Sequence, residues 1–364
     1  RLRVRLRAGE RVLADDVWSI AQSEVERRIA IPDPGLDGER GLLLWHPLFP
    51  ICFDAELALL DTHGCVLDVV TSYTALRSVK LDGDRLLVNG HPEKLRLVLD
   101  QGYWPESGMT PPSAEALRRD VELTKAMGFT GVRKHQKIED PRFLQLADRL
   151  GLFVFAELPS AYRFTSGAVE RLVREWMRVI ERDASHPSII AWVPMNESWG
   201  VPDLTGNAAQ RHLLRALYFL TRTLDPTRPV ICNDGWEMSD TDFVGIHDYD
   251  TDASSLARRY EARDGVEALL ARERPGTKRL LLDEPGYRGQ PLLLSELGGI
   301  AYAKDAPGSW GYARAESPEA LAEWMERLLA AVHASPHLSG FCWTQLTDTY
   351  QEANGLLFAD RTPK

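Results

Sequence analysis

Ile189-Ile190-Ala191-Trp192-Val193-Pro194-Met195-Asn196-Glu197-Ser198-Trp199-Gly200 is an apolar run that ends in a carboxylate and, shortly after it, in glycine. A run of this length without polar alternation reads as a strand buried on both faces, the habit of parallel sheets, with its last side chain delivered to an open end. Leu292-Leu293-Leu294-Ser295-Glu296-Leu297-Gly298-Gly299 repeats the pattern. Working outward from these two, apolar runs at Leu95 to Leu99, Gly131 to Lys134, Leu152 to Ala156, Pro229 to Asn233, Phe243 to His247 and Gly340 to Trp343 bring the strand candidates to eight, the number that closes a (β/α)8 barrel. The segments between them carry helix punctuation. Asp140 is an N-cap ahead of Pro141, with Phe143, Leu146 and Leu150 on one face and Gly151 as the stop; Ser317-Pro318 opens a second helix whose stripe is Leu321, Trp324, Met325, Leu328 and Val332. The fold class is therefore α/β, a TIM barrel over residues 80–364. Residues 1–79 instead show short strands at Arg1 to Arg7, Glu24 to Ile31, Ile51 to Leu60 and Cys65 to Tyr73, separated by turn signals, which reads as a small β-sandwich.

Bulk properties bound the partners. The 364 residues carry a formal charge of -10, which argues against a phosphate-backbone partner and leaves no nucleic acid among those expected. No stretch approaches the apolar length of a membrane span. Arg1-Leu2-Arg3-Val4-Arg5 lacks the apolar core of a signal peptide, so a cytoplasmic location is the expectation, although the chain does not begin with Met and reads as a fragment or a processed form. The four cysteines are scattered without a CxxC pair, as reduced thiols rather than a zinc cage or a disulfide framework. There is no Gly-x-Ser-x-Gly elbow, no GxGxxG after a strand and no Walker motif.

Two carboxylates at the carboxyl ends of barrel strands suit the retaining cleavage of a glycosidic bond, in which one carboxyl protonates the leaving group and a second, roughly 5 to 5.5 Å away, attacks the anomeric carbon. Asn196 beside Glu197 would hold a sugar hydroxyl, and the apolar face of Trp199 would favour the neutral acid by desolvation. Arg133 and Tyr249 are the candidates to keep Glu296 ionised, and His135 is a further candidate contact. Trp104, Trp199, Trp236 and Trp343 follow or end strands and could stack on sugar rings, whereas Trp176 and Trp324 sit in helical stripes and read as packing residues. His247-Asp248-Tyr249-Asp250 could be read as metal ligands, but adjacent strand residues point to opposite faces, and sugar contact by His247 is the better reading. No cofactor and no required metal are expected.

At these residues the chain resembles glycoside hydrolase family 2, the family of β-galactosidases, β-glucuronidases and β-mannosidases. The resemblance runs in order through Arg77, Val88-Asn89-Gly90-His91-Pro92, Gly131-Val132-Arg133-Lys134-His135, Leu146 to Leu152, Met195-Asn196-Glu197, Ser295-Glu296-Leu297-Gly298-Gly299 and Trp343-Thr344-Gln345-Leu346-Thr347-Asp348. It implies an immunoglobulin-like domain over 1–79 and a catalytic barrel over 80–364. It also implies Glu197 as acid/base, Glu296 as nucleophile, Arg133 and Tyr249 as its partners, Asn196 on the sugar 2-hydroxyl and Trp343 on the glycone pocket. The implied activity is that of a retaining exo-β-glycosidase on a terminal β-linked sugar, galactoside-like before mannoside. A carbohydrate-binding protein without catalysis is the alternative from another class. The chain departs from the family pattern in four respects. His135 lies two residues after Arg133, where family β-galactosidases place a His three after. No counterpart is found of the Asn-Lys pair with which family β-glucuronidases grip a uronate. Glu157 falls near a magnesium ligand of some β-galactosidases without that pattern's neighbours. The jelly-roll domain that normally precedes the immunoglobulin-like one is not in the sequence.

Overall fold

The computed structural model describes residues 1–31, 43–271, 278–282, 285–303 and 308–364. At the N-terminus, β1 (Leu2–Ala8), β2 (Arg11–Trp18), β3 (Phe53–Leu60) and β4 (Val66–Thr74) form one antiparallel sheet in the order β2-β1-β3-β4. Val4, Leu6, Leu13, Ala14, Leu43, Phe53 and Ala55 pack into its own small core. The described residues show this single sheet where two facing sheets were expected, and Glu24 to Ile31 is irregular rather than a strand. The unexpected strand is β2. Its acidic centre disguises it in sequence, but Asp15 is taken across the strand pair by Arg3 Nε at 2.6 Å and Arg5 Nη2 at 2.9 Å. Three short strands, β5 (Val79–Asp82), β6 (Arg85–Val88) and β7 (His91–Glu93), make a separate antiparallel sheet just before the first barrel strand. The N-terminal sheet is fastened to the barrel by Tyr73, whose hydroxyl donates to Asp148 Oδ2 at 2.6 Å, and by Arg77, which donates to the carbonyls of Pro187 at 2.9 Å and Ile189 at 2.5 Å.

The barrel strands are β8 (Leu95–Asp100), β9 (Gly131–Lys134), β10 (Phe153–Glu157), β11 (Ile189–Val193), β12 (Val244–Asp248) and β13 (Leu292–Gly298). A short ribbon follows, β14 (Ile300–Ala301) with β15 (Ala313–Arg314), and then β16 (Leu338–Thr344). The parallel sheet runs β11-β10-β9-β8-β16-β13-β12. Seven of the eight expected strands are thus ladder-forming. The eighth, expected at Pro229 to Asn233, occupies the position between β11 and β12 as an isolated parallel bridge, Trp192 to Val230, with Ile231 N donating to Trp192 O at 3.0 Å. It fails to form a ladder on its other side because loop side chains take its backbone donors. Asp242 Oδ2 accepts from Val230 N at 2.9 Å and Thr241 Oγ1 from Cys232 N at 3.4 Å.

The helix expected after Asp140 spans Pro141–Leu150. Asp140 accepts from Arg142 N at its start, and Gly151 closes it in the left-handed region at φ 81. Ser317 caps the helix Pro318–Ala334, whose Leu321, Leu328 and Val332 are buried. Strand alternation then sorts charge between layers. On β9, Lys134 pairs with Asp100 and lies over the Phe143 ring of the outer helix, while Arg133 contacts the strand-end acids described below. On β12, Asp248 pairs with Arg259 and Tyr260 of the helix Ala253–Tyr260, leaving His247 for the other face.

Candidate active site

Arg133, with no exposed surface, is the hub. Its Nε donates to Glu157 Oε2 at 2.8 Å, its Nη1 to Glu296 Oε1 at 2.8 Å and to the Ser295 carbonyl at 3.2 Å, and its Nη2 to Asn196 Oδ1 at 2.6 Å; Asp234 Oδ2 lies 3.1 Å from Nη1. A guanidinium removed from water is tolerable only with such pairing, and the Asp234, Glu157 and Glu296 charges overcome its burial and hold it firmly protonated. Tyr249 donates its hydroxyl to Glu296 Oε2, and its ring stacks on Tyr312 with centroids 3.5 Å apart. Both Glu296 oxygens are thereby acceptors, the pattern of a nucleophile rather than of an acid.

Glu197 stands differently. Glu197 and Ser198 both lie in the left-handed region, at φ 51 and 58, a strained choice for residues with side chains. The turn is held by Glu197 N donating to Asp234 O at 2.9 Å, Ser198 N to Asn233 Oδ1 at 2.9 Å and Ser198 Oγ to Glu237 Oε2 at 2.7 Å. The partner of its carboxylate is His247, whose Nδ1 is 2.8 Å from Glu197 Oε1 and whose Nε2 is 3.4 Å from Glu296 Oε1 and 3.8 Å from Asp234 Oδ1. A His247 nitrogen and one oxygen each of Glu197 and Glu296 all fall within 4.8 Å of one another. This puts the two carboxylates at the close spacing of a retaining pair, roughly 5 to 5.5 Å, rather than the wider spacing of an inverting one. Burial alone would depress the imidazole, but the charges of Glu296 and Asp234 and the hydrogen bond to Glu197 push it up to about 10. Burial would raise Glu197, yet the His247 hydrogen bond and charge outweigh it and hold its carboxyl below the usual range.

These groups border a cavity of about 90 Å³ lined by Leu99, Gln101, His135, Glu197, Tyr249, Glu296, Trp310, Tyr312, Thr344, Glu352 and Asn354. The aromatic wall depends on glycine. At Gly299, with φ +60, a Cβ would stand 2.6 Å from Tyr312 and 2.9 Å from Tyr249, so only glycine lets the chain pass beneath the stacked tyrosines.

Over residues 79–364 the sequence matches the family described as "Glycosyl hydrolases family 2, TIM barrel domain". The chain belongs to glycosyl hydrolase family 2. Among its relatives in the family, "Beta-galactosidase 2" of Enterobacter cloacae is 35% identical over 199 residues, which are 51% of this chain and 18% of that protein. A β-galactosidase of Vibrio cholerae is 29% identical over 235 residues, 62% of this chain and 21% of its own length. The region of likeness is thus about a fifth of the length of these relatives. Among solved structures, a Bacteroides uniformis β-glucuronidase superposes with a TM-score of 0.75 at 22% identity, covering 100% of this chain and 45% of that one. An Eisenbergiella tayi β-galacturonidase of family 2 gives 0.73 at 19%, with 100% and 64% covered. At such identities the superpositions establish the fold.

Arg133, Asn196, Glu197, Tyr249 and Glu296 come together as the family resemblance implied, and His135 joins them with Nδ1 3.2 Å from Glu157 Oε1. His247 is among them too, buried behind Glu197, with its two nitrogens facing the carboxylates of Glu197 and Glu296. Of the candidate tryptophans, Trp236 packs edge-on against His247 and the other three are placed elsewhere. Trp199 is 47% exposed and packs edge-on against Tyr162, because the chain turns sharply through the left-handed Glu197 and Ser198; what touches Glu197 is His247, and the shift is the reverse of the one expected from Trp199. Trp104 is buried between Lys137 and Arg361, and Trp343 lies buried on Gly298. Trp310 and Tyr312, not anticipated, supply the cavity's aromatic face. Asp234 was missed as well, although it ends an expected strand just as Glu197 and Glu296 do. Glu157 does not fit a magnesium ligand, since Oε2 serves Arg133 and Oε1 serves Gln136 N at 2.9 Å and His135.

Proposed function

We propose that the chain is the core of a retaining exo-β-glycosidase that removes a terminal, galactoside-like sugar by double displacement. The observation that carries this is the pair of unlike carboxylates facing one small cavity, Glu296 gripped on both oxygens by Arg133 and Tyr249, and Glu197 bonded to a proton-bearing imidazole. Glu296 attacks the anomeric carbon as the glycosidic bond breaks, and Glu197 gives its proton to the departing oxygen. Glu197 then takes a proton from water, which attacks the same carbon and frees Glu296. The Glu197 and His247 pair holds the transferable proton. A bound sugar excludes water and so favours the neutral pair, with the proton on Glu197 where it can be donated. Asn196, its oxygen engaged by Arg133, keeps its amide nitrogen for a sugar hydroxyl. The division into an N-terminal domain over 1–79 and a catalytic barrel over 80–364 belongs to the same reading.

A carbohydrate-binding role without turnover would not require the strained backbone that holds Glu197 in place. Intact-mass spectrometry after incubation with 2-fluoro β-glycosides separates the two. The expected result is a glycosyl label on Glu296 with a galactosyl reagent; full turnover of an aryl β-galactoside by Glu296→Gln would refute the assignment.

A further inference from the structure

We infer that Glu352 is a specificity-determining residue that selects neutral glycones and rejects uronic acids. This rests on the reading of the cavity as the glycone pocket. Three carboxylates, Glu197, Glu296 and Glu352, line that cavity, and the only basic side chain among the described lining residues is His135. Arg133 brings no free charge to it, being fully buried and shared among Glu157, Asp234, Glu296 and Asn196.

Glu352 is built into the wall rather than left to solvent. Its Oε2 accepts from Gln101 Nε2 at 2.8 Å and from Gln345 Nε2 at 3.0 Å; Gln345 in turn donates to Asn354 Oδ1 at 2.7 Å. Among the described residues its Oε1 has no hydrogen-bond donor, which leaves that oxygen to accept from a ligand. Burial, with the charge of Glu296, raises its pKa above the usual carboxylate value, an effect that the Gln345 and Gln101 hydrogen bonds and the charge of His135 only partly offset.

A sugar hydroxyl is a donor that fits such an oxygen. A uronate at the same place would bring a further negative charge into a cavity that, among the described residues, is lined by three carboxylates and no unshared guanidinium or ammonium. One unscreened like charge about 5 Å away costs on the order of a hundredfold in affinity at the effective dielectric of a partly buried site. Thus the chain shares its fold with the structures of a β-glucuronidase and a β-galacturonidase, while its own cavity is lined by three carboxylates.

The test compares p-nitrophenyl β-galactoside with p-nitrophenyl β-galacturonide, which differ only at C6, on the wild-type chain, Glu352→Gln and Glu352→Lys. The expected kcat/KM ratio, neutral over uronide, is at least about a hundred in the wild type, falls at least tenfold in Glu352→Gln, whose amide oxygen can still accept from Gln101 and Gln345 and whose melting temperature is unchanged, and falls further in Glu352→Lys. A wild-type ratio near one overturns the inference, as does an equal loss on both substrates in Glu352→Gln, which would mark a merely structural residue. If the wild type hydrolyses no glycoside, it is the proposed activity that has failed. Calorimetry with galactose and galacturonate then decides the inference on binding alone: a wild-type preference for galactose over galacturonate that is lost in Glu352→Gln supports it, and any other pattern refutes it.

Discussion

Replacing His247 with Gln should move the basic limb of the pH–rate profile downward, although the variant removes a positive charge from beside the acid. His247 is faced by Glu197 at 2.8 Å, Glu296 at 3.4 Å, Asp234 at 3.8 Å and the Arg133 guanidinium at 3.3 Å, with the Trp236 ring edge-on. Glu197 is held below its ordinary range and His247 is pushed up to about 10, so between those limits the pair keeps one proton. The donor form, a neutral imidazole beside a protonated Glu197, is a minor tautomer of that singly protonated pair. It persists until the last proton leaves. The variant has one proton holder only, Glu197, now subject to burial without the opposing imidazolium, and buried catalytic carboxyls titrate at about 5 to 7. The limb should therefore fall by at least about three pH units, giving at about pH 9 a hundredfold loss of kcat/KM, or about 2.7 kcal/mol at the transition state. The assay is kcat/KM against pH for an alkyl β-galactoside, whose poor leaving group needs the proton, beside a dinitrophenyl galactoside, which does not. A basic limb unmoved for the alkyl substrate would refute the reasoning. Stability gives an independent sign. The folded value of His247 lies above its ordinary 6.5, so its charge contributes fully below about pH 6.5 and the contribution is lost as pH rises toward about 10. The variant's melting deficit should accordingly be larger at about pH 6 than at about pH 9.5.

Three further outcomes are expected. Tyr249→Phe removes the hydroxyl that donates to Glu296 Oε2; a hydrogen bond to a charged group is worth about 1.5 to 3 kcal/mol, so kcat should drop roughly ten- to hundredfold by steady-state assay with little change in melting temperature. Glu197→Ala should slow an alkyl glycoside far more than an activated aryl glycoside, and equal losses on both would remove Glu197 from the acid role. Gly299→Ala combines a disfavoured φ of +60 with a Cβ 2.6 Å from Tyr312, so thermal melts should show a loss of about 1 to 3 kcal/mol together with reduced activity as the stacked tyrosines separate.

The strand-end reading was sound but incomplete. Applied evenly, it finds Asp100, Glu157, Asp234 and Asp248 as well as Glu197 and Glu296, since each ends or closely follows a barrel strand. Asp100 and Asp248 turn to Lys134 and Arg259, Glu157 and Asp234 hold Arg133, and two acids are left at the cavity. Nothing local distinguishes these destinations, because a one-residue change of register exchanges the faces of a strand. In β12 and β13 the register shifts between Ile246 and His247, and it is past this shift that His247 comes opposite Glu296. The tryptophans show the same limit, since a ring near a strand end can line the cavity or lie beneath it.

By itself, then, the sequence determined the parallel barrel, its helix caps, and the candidacy of Glu197, Glu296, Arg133, Asn196 and Tyr249, because unbroken apolar runs, capping residues and short ordered motifs are local properties of the chain. Tertiary structure alone decided that His247 backs Glu197, that Trp310 and Tyr312 rather than Trp104, Trp199 or Trp343 border the cavity, and that Glu352 meets Gln101 from the end of the first barrel strand. Those contacts join residues as far as 251 positions apart, and their electrostatics depend on distances that only closure of the barrel sets.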